Sequence, residues 1–271
     1  MNIIFQKDYF LDEEEHWEPY ATVVSGLGKE EHIKDFAPTV ARGTIAFHNT
    51  TRSAFKYKGW PDLSWPFNND WKVYDYDYLY NCSDLLNAKC EFETDIGIGY
   101  YSSPMQRIHA TLQSCGSDLW IRSISGSKQF TGGVFNAEQF KNEIDYLYQK
   151  GISDLKFVLS TPKTIGKEFR VIIVGHEVIT MSQYMDGGEP VTSPKVPTLV
   201  ASFAERWVKK HKMMFPDSYV LDVCEHQDEY KVVEINNLLT SGWYDCDVGK
   251  IIRAILHQVR TSTQTVPFRL E

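Results

Sequence analysis

Several features that would assign this chain to a common class are missing from its sequence. No apolar run approaches the ~18 residues that a membrane-spanning helix needs. The N-terminal residues also lack the basic and small-residue pattern of a signal peptide, and we expect none. The five cysteines form no CxxC pair, and an odd number cannot all be bridged. We therefore predict a cytoplasmic protein with free thiols and no membrane contact.

Positive charge is also in short supply. The chain has 28 lysines and arginines against 36 aspartates and glutamates, a net charge of -8. This balance argues against a broad nucleic-acid or anionic-membrane surface, although a local basic groove is compatible with it. Part of the acidity lies in the run of residues 12–15, DEEE. Contiguous carboxylates do not converge on one ion, so this run predicts a solvated tip rather than a metal site.

What is present is a chain long enough for a sizeable core, with 271 residues of which 42% are hydrophobic. Up to about residue 100 the pattern is irregular, with short strands predicted at residues 3–5 and near 44–47. Residues 55–80 are crowded with aromatic side chains. We interpret them either as packing of a loop-rich subdomain or as a wall facing a substrate.

Beyond residue 100 the predicted elements become regular. A helix is predicted from Ser103-Pro104, a strand at 119–123, a helix after the cap Asn136, and a strand at 155–160. Two hairpins, at 168–174 with 178–184 and at 219–224 with 230–236, alternate with helices at 197–212 and 248–259. Strands paired through hairpins, with helices between the pairs, indicate an α+β fold rather than a doubly wound parallel sheet.

The second predicted hairpin gathers oxygen-bearing side chains. With its turn near residues 227–229, Asp222 lies opposite Glu234, and Asn236 shares their face by the two-residue alternation of a strand. Two facing acids are unfavourable unless a cation or a shared proton intervenes. Oxygen ligands without histidine or cysteine favour magnesium or manganese over zinc. The alternative is a solvent-facing edge, and a register slip of one residue would separate the two acids.

Cationic groups that could hold phosphate lie further upstream. Arg122 ends a predicted strand, and the loop after it is rich in serine and glycine and carries Lys128. Small residues let backbone N–H groups approach phosphate oxygens, although the spacing of a P-loop is absent. Glu168 and Arg170 share one face of the next hairpin. This pair is either a salt bridge at an exposed strand end or part of the same site.

The order of these motifs resembles the ATP-grasp superfamily, and in particular a clade found in bacteria and phages and marked by one arginine and two lysines. The motifs are KEFRVIIVGHEV, VLDV with VVEINN, and the ending WYDCDVGKIIRAI. The resemblance covers roughly residues 103 to 260. It implies an ATP-grasp fold in which two α+β subdomains grip ATP over residues 103–262. A small α/β N-terminal domain at 1–102 would precede it, and a C-terminal tail at 263–271 would follow.

The resemblance also implies roles for individual residues. Asp222, Glu234 and Asn236 would hold magnesium, or manganese, against the ATP phosphates. Arg122 and Lys128 would contact phosphate, Lys128 on a closing flap, and Glu168 would bind the ribose hydroxyls. The backbone of the strand that contains Phe157, Val158, Leu159 and Ser160 would meet adenine. Arg170 would stabilise a phosphate or acyl phosphate, so Arg170 and Lys128 are the predicted catalytic residues.

In two places the sequence departs from the superfamily pattern. Arg122 stands where most members have a lysine, and Val220 stands where many ligases have an arginine. The second lysine of the clade is Lys163, Lys167 or Lys195, and the sequence leaves this choice open.

The predicted function is that of an ATP- and magnesium-dependent ligase that joins a carboxylate to an amine through an acyl phosphate and releases ADP. Its substrates would be small molecules or peptides. No convincing Ser/His/Asp or Cys/His arrangement is visible, which agrees with a reaction that needs no protein nucleophile. The alternatives are a kinase or phosphotransferase that uses the same nucleotide site, and a catalytically silent nucleotide-binding partner protein.

Overall fold

A computed structural model describes residues 3–10, 13–25, 40–58, 82, 84–86, 112, 118–123, 130, 132–150 and 157–264. The aromatic segment beyond residue 58, nearly all of the helix predicted from Ser103, and Lys128 lie outside these residues. Within them, no helix is both long enough and apolar enough to cross a lipid bilayer.

The N-terminal part forms a small parallel sheet with helices. Strand β1 (Ile3–Gln6) lies between β2 (Thr22–Val24) and β3 (Val40–Arg42). A 3-10 turn (Lys7–Tyr9), helix α1 (Glu14–Trp17) and helix α2 (Ile45–Lys58) complete it. The strand predicted at residues 3–5 is confirmed.

The strand predicted near residues 44–47 is wrong, because α2 begins there. Thr44 caps this helix: its Oγ1 accepts a hydrogen bond from the Phe47 N–H at 3.2 Å. The Gln6 side chain accepts the Thr44 N–H at 2.9 Å. Residues 44–47 combine a β-branched residue with aliphatic and aromatic ones, a composition typical of a strand. The cap formed by the Thr44 side chain favours a helix instead.

A second sheet is antiparallel and has three described strands. Strand β4 (Leu119–Ser123) pairs with β5 (Gly133–Phe135) on one side and β6 (Phe157–Ser160) on the other. Helix α3 (Ala137–Gln149) covers one face, with Phe140 and Ile144 in the shared core. Asn136 caps α3 as predicted: its Oδ1 accepts the Gln139 N–H at 2.9 Å and its own N–H donates to Gln139 Oε1 at 3.0 Å.

The third sheet is antiparallel and has five described strands in the order β11-β10-β7-β8-β9. They are β7 (Lys167–Val174), β8 (Glu177–Asp186), β9 (Glu189–Ser193), β10 (Tyr219–His226) and β11 (Glu229–Asn236). Helix α4 (Thr198–His211) packs on one face and helix α5 (Val248–Gln264) on the other. Both predicted hairpins are confirmed. Gly175 and His176, at φ +63 and +62, form the tight turn of the first.

The two faces of β7 bury different side chains. Phe169, Val171 and Ile173 pack with α4, whereas Ile172 and Val174 pack with α5 and with the N-terminal sheet. Burying such a side chain stabilises the fold by about 1.5–3 kcal/mol. The face of Ile172 and Val174 continues toward the start of the strand as Arg170 and Glu168. The apolar core thus gives way to a polar region on one continuous surface.

The outer strand β11 is covered by a piece of the preceding chain. Leu86 donates its N–H to the Val232 carbonyl, and Val232 donates to the Asp84 carbonyl, both at 2.8 Å. This pairing protects the edge of the strand that carries Glu234 and Asn236.

Candidate nucleotide and metal site

Asp222 and Glu234 face each other because their hairpin combines a two-residue turn with a bulge. From the turn at Gln227 and Asp228 the pairing runs without interruption to Val223 and Val232. The register then shifts, and Asp222 pairs with Glu234. Without the bulge Asp222 would pair with residue 233, and Glu234 would move to the next position along the strand. The predicted pairing of Asp222 with Glu234 is confirmed.

Asn236 joins the two acids on this face. Its Nδ2 donates to Asp222 Oδ2 at 3.0 Å and to Glu234 Oε1 at 2.9 Å. The Asp222 side chain is fully buried, and that of Glu234 is 15% exposed. The structure therefore brings the three predicted metal ligands together.

Two arginines supply the positive charge that the facing acids require. Arg170 forms a bidentate pair with Asp222, from Nε to Oδ1 at 2.9 Å and from Nη2 to Oδ2 at 2.7 Å. Arg122 lies 2.8 Å from Glu234, from Nη2 to Oε2. Because Arg122 belongs to β4 and Glu234 to β11, this ion pair joins the two antiparallel sheets.

The donor chemistry of the three ligands suits magnesium. Two carboxylates and one amide, with neither histidine nor cysteine, are ligands that a hard cation prefers. In this structure both oxygens of Asp222 accept bonds from Arg170, and Asn236 presents its amide nitrogen. A half-turn of the amide brings its oxygen to the same place. Among the described residues no three His, Cys, Asp or Glu side chains are grouped to hold an ion, so Asn236 and the substrate are needed to complete one.

Sequence reasoning missed two tyrosines and a carbonyl that surround Arg170. The Arg170 guanidinium carbon lies 5.0 Å from the ring centre of Tyr184 and 4.8 Å from that of Tyr244. The two rings stack at 5.1 Å with 11° between their planes. Arg170 Nη1 also donates to the Gly242 carbonyl at 2.7 Å. Strand alternation could have placed Tyr184 on this face, since Ser182 pairs with Arg170. Tyr244 lies in a loop and gave no such signal.

Glu168 is buried beside Arg170 and is held by Tyr184. The Tyr184 hydroxyl donates to Glu168 Oε2 at 2.8 Å. Burial raises the pKa of Glu168, as do the carboxylates of Asp222 and Glu234, although the Tyr184 hydrogen bond acts in the opposite direction. The contact of Glu168 with ribose stays a prediction.

The predicted adenine strand lies next to Arg122. Phe157, Val158, Leu159 and Ser160 are all buried in β6, and Val158 pairs with Arg122 of β4. The side chains of Phe157 and Leu159 enter the core under α3, whereas Val158 packs toward the five-stranded sheet. This placement puts the strand beside the acidic face, and its contact with adenine stays a prediction.

From residue 102 to residue 254, more than half of the chain, the sequence matches the model of an ATP-grasp domain, family 2 of the clade named for one arginine and two lysines. No curated protein matches the sequence significantly.

Three solved structures illustrate the fold. D-alanine–D-alanine ligase from Bacillus anthracis complexed with ATP is 12% identical, with a TM-score of 0.59 over 98% of this chain and 100% of that one. A RimK domain ATP-grasp protein from Sphaerobacter thermophilus is 13% identical, with a TM-score of 0.54 over 94% and 100%. The ATP-grasp ligase PsnB complexed with a minimal precursor is 12% identical, with a TM-score of 0.53 over 95% and 98%. At these identities the likeness concerns the fold alone.

The resemblance drawn from the sequence motifs and the α+β fold class are thereby confirmed. The predicted cofactors, ATP and Mg²⁺, are supported as well, because related folds were solved with ATP and with Mg and ADP. The chain belongs to the ATP-grasp domain family, in family 2 of the clade with one arginine and two lysines.

Proposed function

We propose that the chain is an ATP- and magnesium-dependent ligase that joins a carboxylate to an amine through an acyl phosphate and releases ADP. The family and fold support the general class of ATP-dependent ligase. The observation that carries the proposal is the convergence of Asp222, Glu234 and Asn236 with Arg170 and Arg122 where the two antiparallel sheets meet.

The proposed reaction needs no nucleophile from the protein. An oxygen of the substrate carboxylate attacks the γ-phosphorus, and ADP leaves. The amine then attacks the carbonyl carbon, phosphate leaves, and the amine loses a proton. Three cysteines, Cys82, Cys224 and Cys246, are buried as free thiols. Burial raises their pKa values to about 11, about 12 and about 11 respectively, so they do not act as thiolates near neutral pH.

Asp222, Glu234 and Asn236 would hold magnesium, which when bound supplies positive charge that offsets the charge of the transferring phosphoryl group. Arg170 is positioned by Asp222 and by the Gly242 carbonyl, and its remaining N–H groups can bind an anionic oxygen. A fixed cation of this kind stabilises the transferring phosphoryl group or the acyl phosphate without reorganising during the reaction.

Arg122 has a separate task in this proposal. Its ion pair with Glu234 joins the two antiparallel sheets. The phosphates of ATP would compete for its guanidinium, and the Glu234 carboxylate would then be available to hold a metal ion. Nucleotide and metal binding therefore support each other, and closure of the sheets keeps water from the acyl phosphate.

The substrate class is a small-molecule or peptide carboxylate with an amine. Two of the similar structures fall within that range by their names: one is a D-alanine–D-alanine ligase, and another is a ligase complexed with a precursor peptide.

The test is incubation of the protein with ATP, magnesium and pools of amino acids and peptides, followed by measurement of ADP, AMP and product mass. We expect ADP, phosphate and an amide product. Glu234→Gln should abolish turnover, whereas Glu229→Gln should not. Glu229 is the matched control because it lies on the same strand but at the surface, paired with Lys231.

Other outcomes would point elsewhere. AMP in place of ADP would rule out the acyl phosphate, and turnover by Glu234→Gln at the wild-type rate would refute the metal assignment. A stable phosphorylated acceptor would identify a kinase or phosphotransferase. Nucleotide binding by the wild type without any turnover would identify a catalytically silent binding module.

A further inference from the structure

A buried ion pair lies in the N-terminal part, far along the chain from the site. Arg42 is fully buried and donates from Nε to Glu13 Oε2 at 2.9 Å and from Nη2 to Glu13 Oε1. Trp17 Nε1 donates to the same carboxylate at 3.2 Å. The prediction that residues 12–15 form a solvated tip is therefore wrong at Glu13, which is only 5% exposed. A partner 29 residues away supplies its countercharge.

The Arg42 guanidinium lies between two aromatic rings. Its central carbon is 3.6 Å from the ring centre of Phe10 and 4.1 Å from that of Trp243. Within the described part of the chain, Arg42 Nη1 has no hydrogen-bond partner. A buried N–H without a partner is unfavourable, and cation–π contact with two rings offsets part of that loss. Arg42 thus contacts Trp243 as well as Glu13.

Trp243 belongs to residues 237–246, which we call the site loop because it follows the metal-site strand β11. Trp243 is buried, and its Nε1 donates to the Leu238 carbonyl at 3.0 Å within the loop. The N-terminal part contacts the loop a second time, where Gly43 donates its N–H to the Leu239 carbonyl at 3.1 Å. The residue before Trp243, Gly242, is the one whose carbonyl accepts the Arg170 bond. Arg42 and Arg170 therefore contact adjacent residues of one loop.

We propose that the Glu13–Arg42 pair positions Arg170 for catalysis through the site loop. The inference rests on the proposed function and adds a residue to it. Arg170 has two hydrogen-bonding anchors, Asp222 and the Gly242 carbonyl. If Asp222 held a metal ion, the Gly242 carbonyl would remain as a hydrogen-bond acceptor for Arg170, and the position of the loop would set the position of the guanidinium. Arg42 is a positioning residue that touches neither nucleotide nor substrate.

Three variants of the full chain test the charge of Arg42, the shape of its side chain and the location of the acidic partner. Arg42→Lys keeps the charge but loses the bidentate pair and the planar stack. Glu13→Gln with Arg42→Met removes both charges and keeps an apolar side chain between the rings. Glu14→Gln is the matched control, because Glu14 is adjacent to Glu13 but forms a partly exposed pair with Lys7 at 3.4 Å. Thermal unfolding establishes that each variant is folded.

The first measurement does not depend on activity. The arginine Nη–H signals are recorded by ¹H–¹⁵N NMR, because Arg170 Nη1 is the atom that donates to the Gly242 carbonyl. The Arg170 signal is assigned by its loss in Arg170→Lys. We expect a slowly exchanging Arg170 signal in the wild type and in Glu14→Gln. In Arg42→Lys and in the double variant its exchange with solvent should be at least about tenfold faster, because a bond of Arg170 is loosened. Unchanged exchange in both folded variants would overturn the proposal.

The second measurement is ATP turnover with magnesium, alongside binding of the non-hydrolysable nucleotide AMPPNP. We expect turnover in Arg42→Lys to fall about 10–100-fold, since small misplacements of a catalytic group have effects of this order. The Kd of AMPPNP should change by less than about twofold, because Arg42 lies outside the nucleotide site. An equal loss in binding and turnover would contradict positioning. Absence of turnover in the wild type would overturn the proposed function but not this inference. The hydrogen-exchange measurement would still show whether Arg42 positions Arg170 through the site loop.

Discussion

Asp222 and Glu234 differ in burial, and this difference separates their contributions to stability. The Asp222 side chain is fully buried and its partner Arg170 is 7% exposed, whereas Glu234 and Arg122 are 15% and 13% exposed. Removing one partner from a buried pair leaves an uncompensated charge and costs about 3–5 kcal/mol. The cost is smaller for a pair that keeps partial contact with water, because solvent screens the charge that is left behind.

We therefore expect Asp222→Asn to lower the free energy of unfolding by about 3 kcal/mol, because Arg170 loses its charge partner. Glu234→Gln should lower it by less, because the Glu234–Arg122 pair keeps partial contact with water. Urea titrations followed by circular dichroism measure both. ATP turnover should be lost in both variants, so Glu234→Gln isolates the effect on activity. Equal destabilisation by the two variants would show that burial does not distinguish the two acids.

The buried thiols predict a loss of stability at alkaline pH. Burial raises the pKa of Cys224 to about 12 from the ordinary value of 9.0, so above pH 9 the unfolded state loses a proton that the folded state keeps. Stability is therefore fully present below pH 9 and falls as the pH rises from 9 toward 12. Cys224→Ala should show a smaller loss between pH 8 and pH 10.5 in guanidinium titrations than the wild type. An identical pH dependence would contradict a raised pKa.

At the scale of single elements, the sequence predicted helix caps and turns correctly where the residues that form them lie within a few positions of each other. Asn136 and Gln139 cap each other three positions apart, and Gly175 forms a turn between two apolar strands. Both signals come from residues within a few positions of each other and need no distant partner. The strand wrongly predicted at residues 44–47 shows the limit. Gln6 accepts the Thr44 N–H from 38 residues away, and this contact helps to start a helix.

The turn of the metal-site hairpin carries strain that substitution can relieve. Gln227 and Asp228 adopt positive φ, +49 and +62, in a two-residue turn. Left-handed backbone is unfavourable for a residue with a side chain such as glutamine, by about 1–2 kcal/mol. Asn-Gly is the pair that such turns prefer.

Gln227→Asn with Asp228→Gly should therefore raise the free energy of unfolding by about 1 kcal/mol. ATP turnover should be unchanged, since the turn lies five residues along the chain from Asp222 and six from Glu234. Gly175→Ala is the matched opposite case. Its φ is +63, and an added Cβ would lie 2.8 Å from Gln258 Oε1, so stability should fall. A loss of stability in the Asn-Gly variant would show that the turn contributes contacts of its own.

At the scale of the whole molecule, two contacts connect parts that are distant in sequence. The Arg122–Glu234 pair joins the three-stranded sheet to the five-stranded one, and the Arg42–Trp243 stack joins the N-terminal sheet to the site loop. The nucleotide site proposed here lies where the first of these contacts occurs. Ligand binding should therefore stabilise the molecule as a unit.

We expect AMPPNP with magnesium to raise the midpoint of thermal unfolding of the wild type. At one hundred times the Kd the stabilisation is about 2.7 kcal/mol. In Glu234→Gln the part that depends on magnesium should disappear, which a parallel series with EDTA measures. A shift of equal size with and without magnesium would contradict a metal site at Glu234.

The sequence by itself determined the parts of this protein whose causes are local. Strand alternation placed Glu234 and Asn236 on one face, hairpin signals paired their strand with that of Asp222, and the motif order indicated the ATP-grasp fold. The facing acids indicated that positive charge must lie nearby, because two adjacent carboxylates are unfavourable without it.

Only the tertiary structure decided which groups meet that need. Arg170 pairs with Asp222 across 52 residues, and Glu13 finds Arg42 across 29. The bulge that brings Asp222 opposite Glu234 likewise became visible only in the paired strands. A charged side chain on a buried strand face indicates that a partner of opposite charge is required. The identity of that partner depends on distances between elements, which arise only when the cores are buried and the sheets are in place.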